Sequence, residues 1–320
     1  RALPIYSRLR EDVELERWQD ARRNIGEIRS LQPHYRDVDE LDALVTGAEA
    51  TAQRCERLYN VGIQAYQSRD WPSAAHAFST IEQENAFYRD VRFLRRTAAL
   101  YADLGSRDRS RRIAAVQELG QVADLIDMTP LLFALGDHSE EVADAAEEAF
   151  RRIGITSFDT LLAGLAHNAD GVRKRAYHLI EGYGQGVRER LVGALRSSNP
   201  RITRPVAKLL MALGARQEVA ETLLRAPATH QEGIVEALQD EGVAASGALI
   251  EVLLSAPPDR QQLVINALAA VKTKADIDRR IAEAVRAAKD SAAKELLQRA
   301  LRTPAAPFHV AGHAPAVQPL

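Results

Sequence analysis

Residues 142–154 read VADAAEEAFRRIG, and thirty positions on, residues 172–184 read VRKRAYHLIEGYG. Thirty further, residues 202–214 read ITRPVAKLLMALG. Laid over one another, the three lines begin with an aliphatic residue (Val142, Val172, Ile202). Four on comes a small one (Ala146, Ala176), a slot that the third copy fills with Val206 beside Ala207. Then follow Phe150, Ile180 and Leu210, next Ile153, Tyr183 and Leu213, and last Gly154, Gly184 and Gly214. Steps of four, four and three keep every apolar position on one face of an α-helix. A terminal glycine permits the left-handed backbone that ends such a helix.

The same pattern extends both ways. An earlier copy runs Arg111, Ala115, Leu119, Val122 and Ala123, and a later one Leu263, Ala267 and Val271. A weaker copy surrounds Ile234, Leu238 and Gly242, and a half-copy of Ala293, Leu297 and Leu301 closes the series. Second helices recur as Leu131 with Leu135, Leu161 with Leu165, and Leu191 with Leu195. The connections at 137–139, 167–170, 197–200 and 257–259 are polar or proline-rich, and their Asp, Ser and Asn residues are expected to cap the helices that follow. One helix pair cannot bury its apolar face alone, whereas stacked pairs can. About six and a half pairs are expected over residues 106–302.

A second repeat family precedes the first. Trp18 and Ala21 lie over Trp71 and Ala74, 53 residues on, with Ile25 over Phe78 and Ile28 over Ile81. The segment Tyr35-Arg36-Asp37-Val38 recurs identically as Tyr88-Arg89-Asp90-Val91, and Ile5-Tyr6 matches Leu58-Tyr59. Each unit reads as helix, tight turn, helix, with Gly62 and Tyr66 on the first and Ala74, Ala77, Phe78 and Ile81 on the second. The long period requires a linking helix over roughly 39–68.

The first 105 residues resemble tetratricopeptide repeats, departing from them in the 53-residue period, and residues 106–302 resemble the short bacterial HEAT-like repeats of the phycobilisome-lyase type. The resemblance implies an all-α fold, a right-handed α-α superhelix or solenoid, followed by a Pro/Ala-rich tail at 303–320. It also implies an interaction scaffold.

Composition narrows the chemistry. The chain has 320 residues, 46% apolar and 27% charged, with formal net charge −2, which excludes a bulk polycation made for nucleic acid. No apolar run is long enough to span a membrane. One cysteine, Cys55, excludes an internal disulfide framework; the charges of Arg54 and Arg57 beside it act to lower its pKa, but a lone helical cysteine in an Ala-rich chain reads as packing rather than catalysis. Gly182, Gly184 and Gly186 do not follow a strand, so a phosphate loop is not expected. His309 and His313 have metal-ligand spacing without a helix or a third ligand. No catalytic, cofactor or metal site is expected.

Charge is distributed unevenly. Residues 118–159 hold ten acidic side chains against Arg151 and Arg152, while residues 168–216 hold ten basic ones against Asp170, Glu181 and Glu189. Adjacent repeats of opposite sign read either as solvated outer faces or as a docking groove for a protein or peptide with an acidic patch. The residues expected to carry it are Arg188, Arg190 and Arg196, on or near a second helix, with Arg201 and Arg204 at the start of the next unit. A nucleic-acid duplex would meet the acidic neighbour and is not expected. The expected function is therefore a non-catalytic cytoplasmic scaffold or adaptor, part of a larger bacterial protein or assembly. The alternative is an enzyme on HEAT-like repeats, resembling either a phycobilin lyase or a DNA glycosylase, with no motif here to mark its pocket.

Overall fold

The computed structural model describes residues 1–196 and 199–309. Every regular element among them is helical. The chain divides into two compact units, Arg1–Ala115 and Val116–Leu320.

The first unit contains α1 (Ala2–Glu14), α2 (Trp18–Leu31), α3 (Val38–Gln67), α4 (Trp71–Glu84) and α5 (Val91–Leu104); the division falls inside α6 (Arg109–Leu119). Its backbone repeats at the 53-residue offset. Four non-glycine residues among those described have positive φ: Glu16 (55°) with Arg69 (63°), and Arg36 (51°) with Arg89 (45°). Left-handed backbone at an arginine is strained, and the same contacts offset the strain in both copies. The Arg36 guanidinium lies 4.8 Å from the Tyr6 ring centroid and 5.2 Å from that of Tyr35, and Arg89 lies 4.8 Å from Tyr59 and 5.1 Å from Tyr88. Tyr6 donates to Asp37, and Tyr59 donates to Asp90 at 2.7 Å.

Helix α3 serves both copies. Val38 and Val45 join a core with Ile5, Leu9, Ile25 and Ile28, whereas Cys55 joins Ala74, Phe78 and Ile81. At Gly62 a Cβ would stand 2.6 Å from the Phe78 ring, so only glycine lets α3 and α4 approach this closely.

The second unit continues with α7 (Thr129–Ala134), α8 (Glu140–Ile153), α9 (Phe158–Gly164), α10 (Asp170–Gly182), α11 (Arg188–Ala194) and α12 (Thr203–Ala212). Then come α13 (Arg216–Leu223), α14 (Ala228–Glu241), α15 (Val243–Ser255), α16 (Pro258–Lys272), α17 (Asp278–Ala287) and α18 (Ser291–Arg302). Alternate helices stack: α8 on α10, α10 on α12, α12 on α14, α14 on α16, and α16 on α18. The aligned positions Val142, Ala146, Phe150, Val172, Ala176, Ile180, Val206 and Leu210 are all buried.

Gly154, Gly184, Gly214 and Gly242 have positive φ. Gly214 makes the expected left-handed cap, its N–H donating to the Met211 carbonyl and the Ala215 N–H to the Leu210 carbonyl, both at 2.9 Å, whereas Gly154 and Gly242 depart from it. Gly154 has φ 70°, ψ −148° and Gly242 φ 58°, ψ −122°. That region is almost closed to other residues. At Gly154 it turns the chain at once into a single 3₁₀ turn ahead of α9, which a helical cap would not do. The capping expectation also holds only in part. Asn199 accepts the Arg201 N–H at 3.1 Å, but Asp137 accepts from Ser139 at 2.8 Å ahead of α8, and α10 and α16 begin without a side-chain cap.

The last described residues are not free of the helices. Lys272, its side chain 6% exposed, donates to the carbonyls of Ala300 (2.9 Å), Leu301 (3.0 Å) and Thr303 (2.8 Å). The Ala306 N–H donates to Ala269 of α16 at 3.2 Å, and Phe308 is half-buried. Val310–Leu320, including His313 and most of the predicted tail, lie outside the described residues.

Candidate functional site

Each helix that buries one stripe must present another. On α10 the opposite stripe is Asp170, Arg173, Lys174, Tyr177 and His178; on α12 and the turn before it, Arg201, Arg204, Pro205 and Lys208; on α14, Thr229, Glu232, Gly233 and Glu236. All three follow the i, i+3, i+4, i+7 spacing of a single helix face. Because α12 packs between α10 and α14, the stripes meet in one open groove of about 870 Å³, which Leu165 and Pro200 also line. Gly233 sets its depth, since a Cβ there would lie 3.2 Å from the Arg204 backbone nitrogen.

The groove's charges are partly spent within the unit. Lys174 pairs with Asp170 at 2.6 Å, and Arg173 reaches the same carboxylate at 3.1 Å. Asp240 receives Arg204 at 2.7 Å, Lys274 at 3.0 Å and Lys208 at 3.4 Å. Partial burial works to raise the Asp240 pKa, but hydrogen bonds from Arg204 and Lys274 and the surrounding charge outweigh it, bringing the pKa down to about 2. A depressed carboxylate pKa contributes stability that is complete above its unfolded value and lost as pH falls toward the folded one. The advantage of the protein over Asp240→Asn is therefore expected to be on the order of 2 kcal/mol at pH 7. It should shrink between about pH 4 and pH 2, measured by urea midpoints across that range.

The five arginines singled out by sequence separate into two sets. Arg201 and Arg204 line the groove. Arg188 and Arg190 do not; they join consecutive units. Arg188 bonds both carboxylate oxygens of Glu218 at 2.6 Å, and Arg190 pairs with Asp159 at 2.9 Å while stacking 4.2 Å from the Phe158 centroid. Arg196 is exposed and makes no ion pair among the described residues.

The charge step has the same structural component. Arg175 of α10 bonds Glu140, Asp144 and Glu147 of α8, so much of the opposition between the acidic and basic segments is satisfied inside the unit. Sequence reading missed Tyr177, Pro205, Glu232 and Glu236. Their signal is the polar stripe opposite the buried one, repeated from unit to unit, which the search for apolar positions passes over.

Other candidates resolve differently. Cys55 is buried, and its thiol pKa is raised, first by burial and then by Glu84, whose carboxylate lies 3.9 Å away. Arg54 acts to lower it, as its charge should, but burial and the Glu84 carboxylate outweigh it. Tyr183 donates to the Gly154 carbonyl at 2.8 Å and so ties one unit's turn to the next. Among the described residues no cluster of His, Cys, Asp and Glu is arranged to hold a metal ion, and no helix is long and apolar enough to cross a membrane.

Comparison with protein-family models and with curated proteins returned no match.

Proposed function

We propose that the chain is a non-catalytic interaction module, a scaffold or adaptor working in the cytoplasm as part of a larger bacterial assembly. Its second unit is a HEAT-like array wound as a right-handed α-α superhelix, a reading supported by the stacking of each alternate helix on the next. Its first unit is tetratricopeptide-like, supported by two helical hairpins whose turns match at the 53-residue offset.

The observation that carries the function is the groove over α10, α12 and α14. It has the size of a ligand cleft, and it is lined by uncharged Tyr177, Pro200, Pro205 and Gly233 together with five Arg and Lys side chains and three carboxylates. Such a surface suits a protein or peptide segment with apolar side chains and carboxylates. Apolar contacts supply affinity, while fixed charges set register and reject unsuitable partners.

A photo-crosslinking residue at Tyr177 tests this directly. In extract of the source bacterium it is expected to capture one discrete protein, with yield falling as salt rises. The same residue at Glu189, on α11, is expected to capture nothing comparable. Equal capture from both positions would remove the groove from the account.

A further inference from the structure

The groove continues at its Leu165 end into a smaller polar recess of about 290 Å³, lined by Leu165, Ala166, His167, Asn168, Arg173 and Arg201. Four of these residues, His167, Asn168, Arg173 and Arg201, are cationic or carry side-chain N–H donors, and their present commitments differ. Arg173 donates to the carbonyls of His167 (2.7 Å) and Asn168 (2.6 Å) and to Asp170 at 3.1 Å, a carboxylate it shares with Lys174, and so holds the loop in shape. His167 accepts the Ala169 N–H at Nδ1, 3.1 Å away, so Nε2 carries the proton of the neutral ring and is a donor. Its ring is fixed beside Phe133, with centroids 5.3 Å apart.

Arg201 is different. It is exposed, and its guanidinium has no carboxylate partner among the described residues; its one side-chain contact is the Asn168 Oδ1, at 3.5 Å. Arg175, Arg188, Arg190 and Arg204 of this unit meet carboxylates, whereas Arg196, like Arg201, meets none among the described residues; of these two only Arg201 lines the recess. A guanidinium left uncommitted at the mouth of a recess, beside an imidazole donor, matches the geometry of an incoming carboxylate.

We infer that this recess is an anchor site for the carboxylate of an Asp or Glu side chain on a partner peptide, held by Arg201 with His167 as second donor. The inference rests on the peptide-binding reading of the groove and names the group that fixes register within it. Arg173 and Lys174 share the single carboxylate of Asp170, so Arg201 is not the only excess positive charge here; what matches a carboxylate is its planar guanidinium fork with one imidazole donor beside it. Asp170 nearby, and Glu232 and Glu236 farther along the groove, disfavour a dianion. The chemistry therefore selects a carboxylate over a phosphoryl group.

Immobilised full-length chain and pooled peptides test the assignment. The probes are N-acetylated, C-amidated heptapeptides with randomised flanks and a central residue fixed as Asp, Asn, phosphoserine or Lys, so that no terminal carboxylate competes. The Asp pool is expected to be retained about 10-fold more than the Asn pool, the scale of one charge-assisted bidentate contact. Phosphoserine should be retained no better than Asp. Arg201→Gln should bring the Asp pool down to the Asn level without changing the melting temperature, because the side chain is exposed and unpaired. Arg188→Gln, outside the recess, should leave retention of the Asp pool intact. Equal retention of Asp and Asn pools, unaffected by Arg201→Gln, would overturn the carboxylate site while leaving peptide binding in place. Preference for phosphoserine would overturn the choice of a carboxylate. Failure to retain any pool would remove both readings.

Discussion

Ala176→Arg is expected to unfold part of the second unit, and Ala146→Arg to do the same one repeat earlier. Both alanines have no exposed surface. Ala176 sits where α10 meets α9: a Cβ at Gly164 of α9 would come within 3.0 Å of the Ala176 methyl, so this interface has space for no larger side chain on either helix. A guanidinium introduced there meets two penalties, overpacking and a buried charge with no partner. Together they place the cost at about 4 kcal/mol or more, a large share of the stability of an ordinary domain. Because the array is built from neighbour contacts, the loss should be local and cooperative, with α8 to α12 melting early. Thermal melting followed by circular dichroism should show a lowered midpoint and a new early phase. A wild-type midpoint and amplitude in either variant would contradict the repeat register.

Lys272→Met is expected to release the last helix. Lys272 reaches three carbonyl oxygens at the C-terminal end of α18, all within 3.0 Å, and pairs with Asp278 at 2.9 Å. Those carbonyls belong to the last turn, where no intrahelical donor remains and where a cation also meets the negative end of the helix dipole. Methionine keeps the apolar stem and removes every one of these bonds. Stranding partly buried acceptors costs about 1–3 kcal/mol each when water cannot replace the donor. Since water will reach some of them, about 3 kcal/mol in total is expected. That corresponds to roughly 100-fold faster amide exchange in α18, with α12 and α14 unchanged. Unaltered protection of Ser291–Arg302 would show that packing alone holds the helix.

How much of this was legible in the sequence differs between the fold and the site. Helical character, the buried stripe and the helix-end glycines follow from periodicity, because an amphipathic helix writes its buried face into its own spacing. The long helix expected over roughly 39–68 is α3, Val38–Gln67. Charge was harder to read. Arg188 and Arg190 belong to a basic run in sequence, yet their partners, Glu218 and Asp159, lie about one repeat away in opposite directions. A linear charge count cannot tell a cation awaiting a partner from one already spent on the neighbouring unit. The expectation that a second helix would carry the docking residues came from resemblance alone. The groove instead uses the stripes of α10, α12 and α14, whose polar spacing was open to inspection. Cys55 shows the same limit, since its sequence neighbours are basic and its neighbour in space is Glu84.

Hydrogen–deuterium exchange of the whole chain, with and without the partner captured at Tyr177, tests the central claim most directly. The account predicts slowed exchange at residues 165–178, 200–208 and 229–236, the segments that form the groove and its adjoining recess, with α11 and α13 unchanged. Protection confined to α11 and α13, or spread evenly over the unit with none concentrated in the groove, would contradict it.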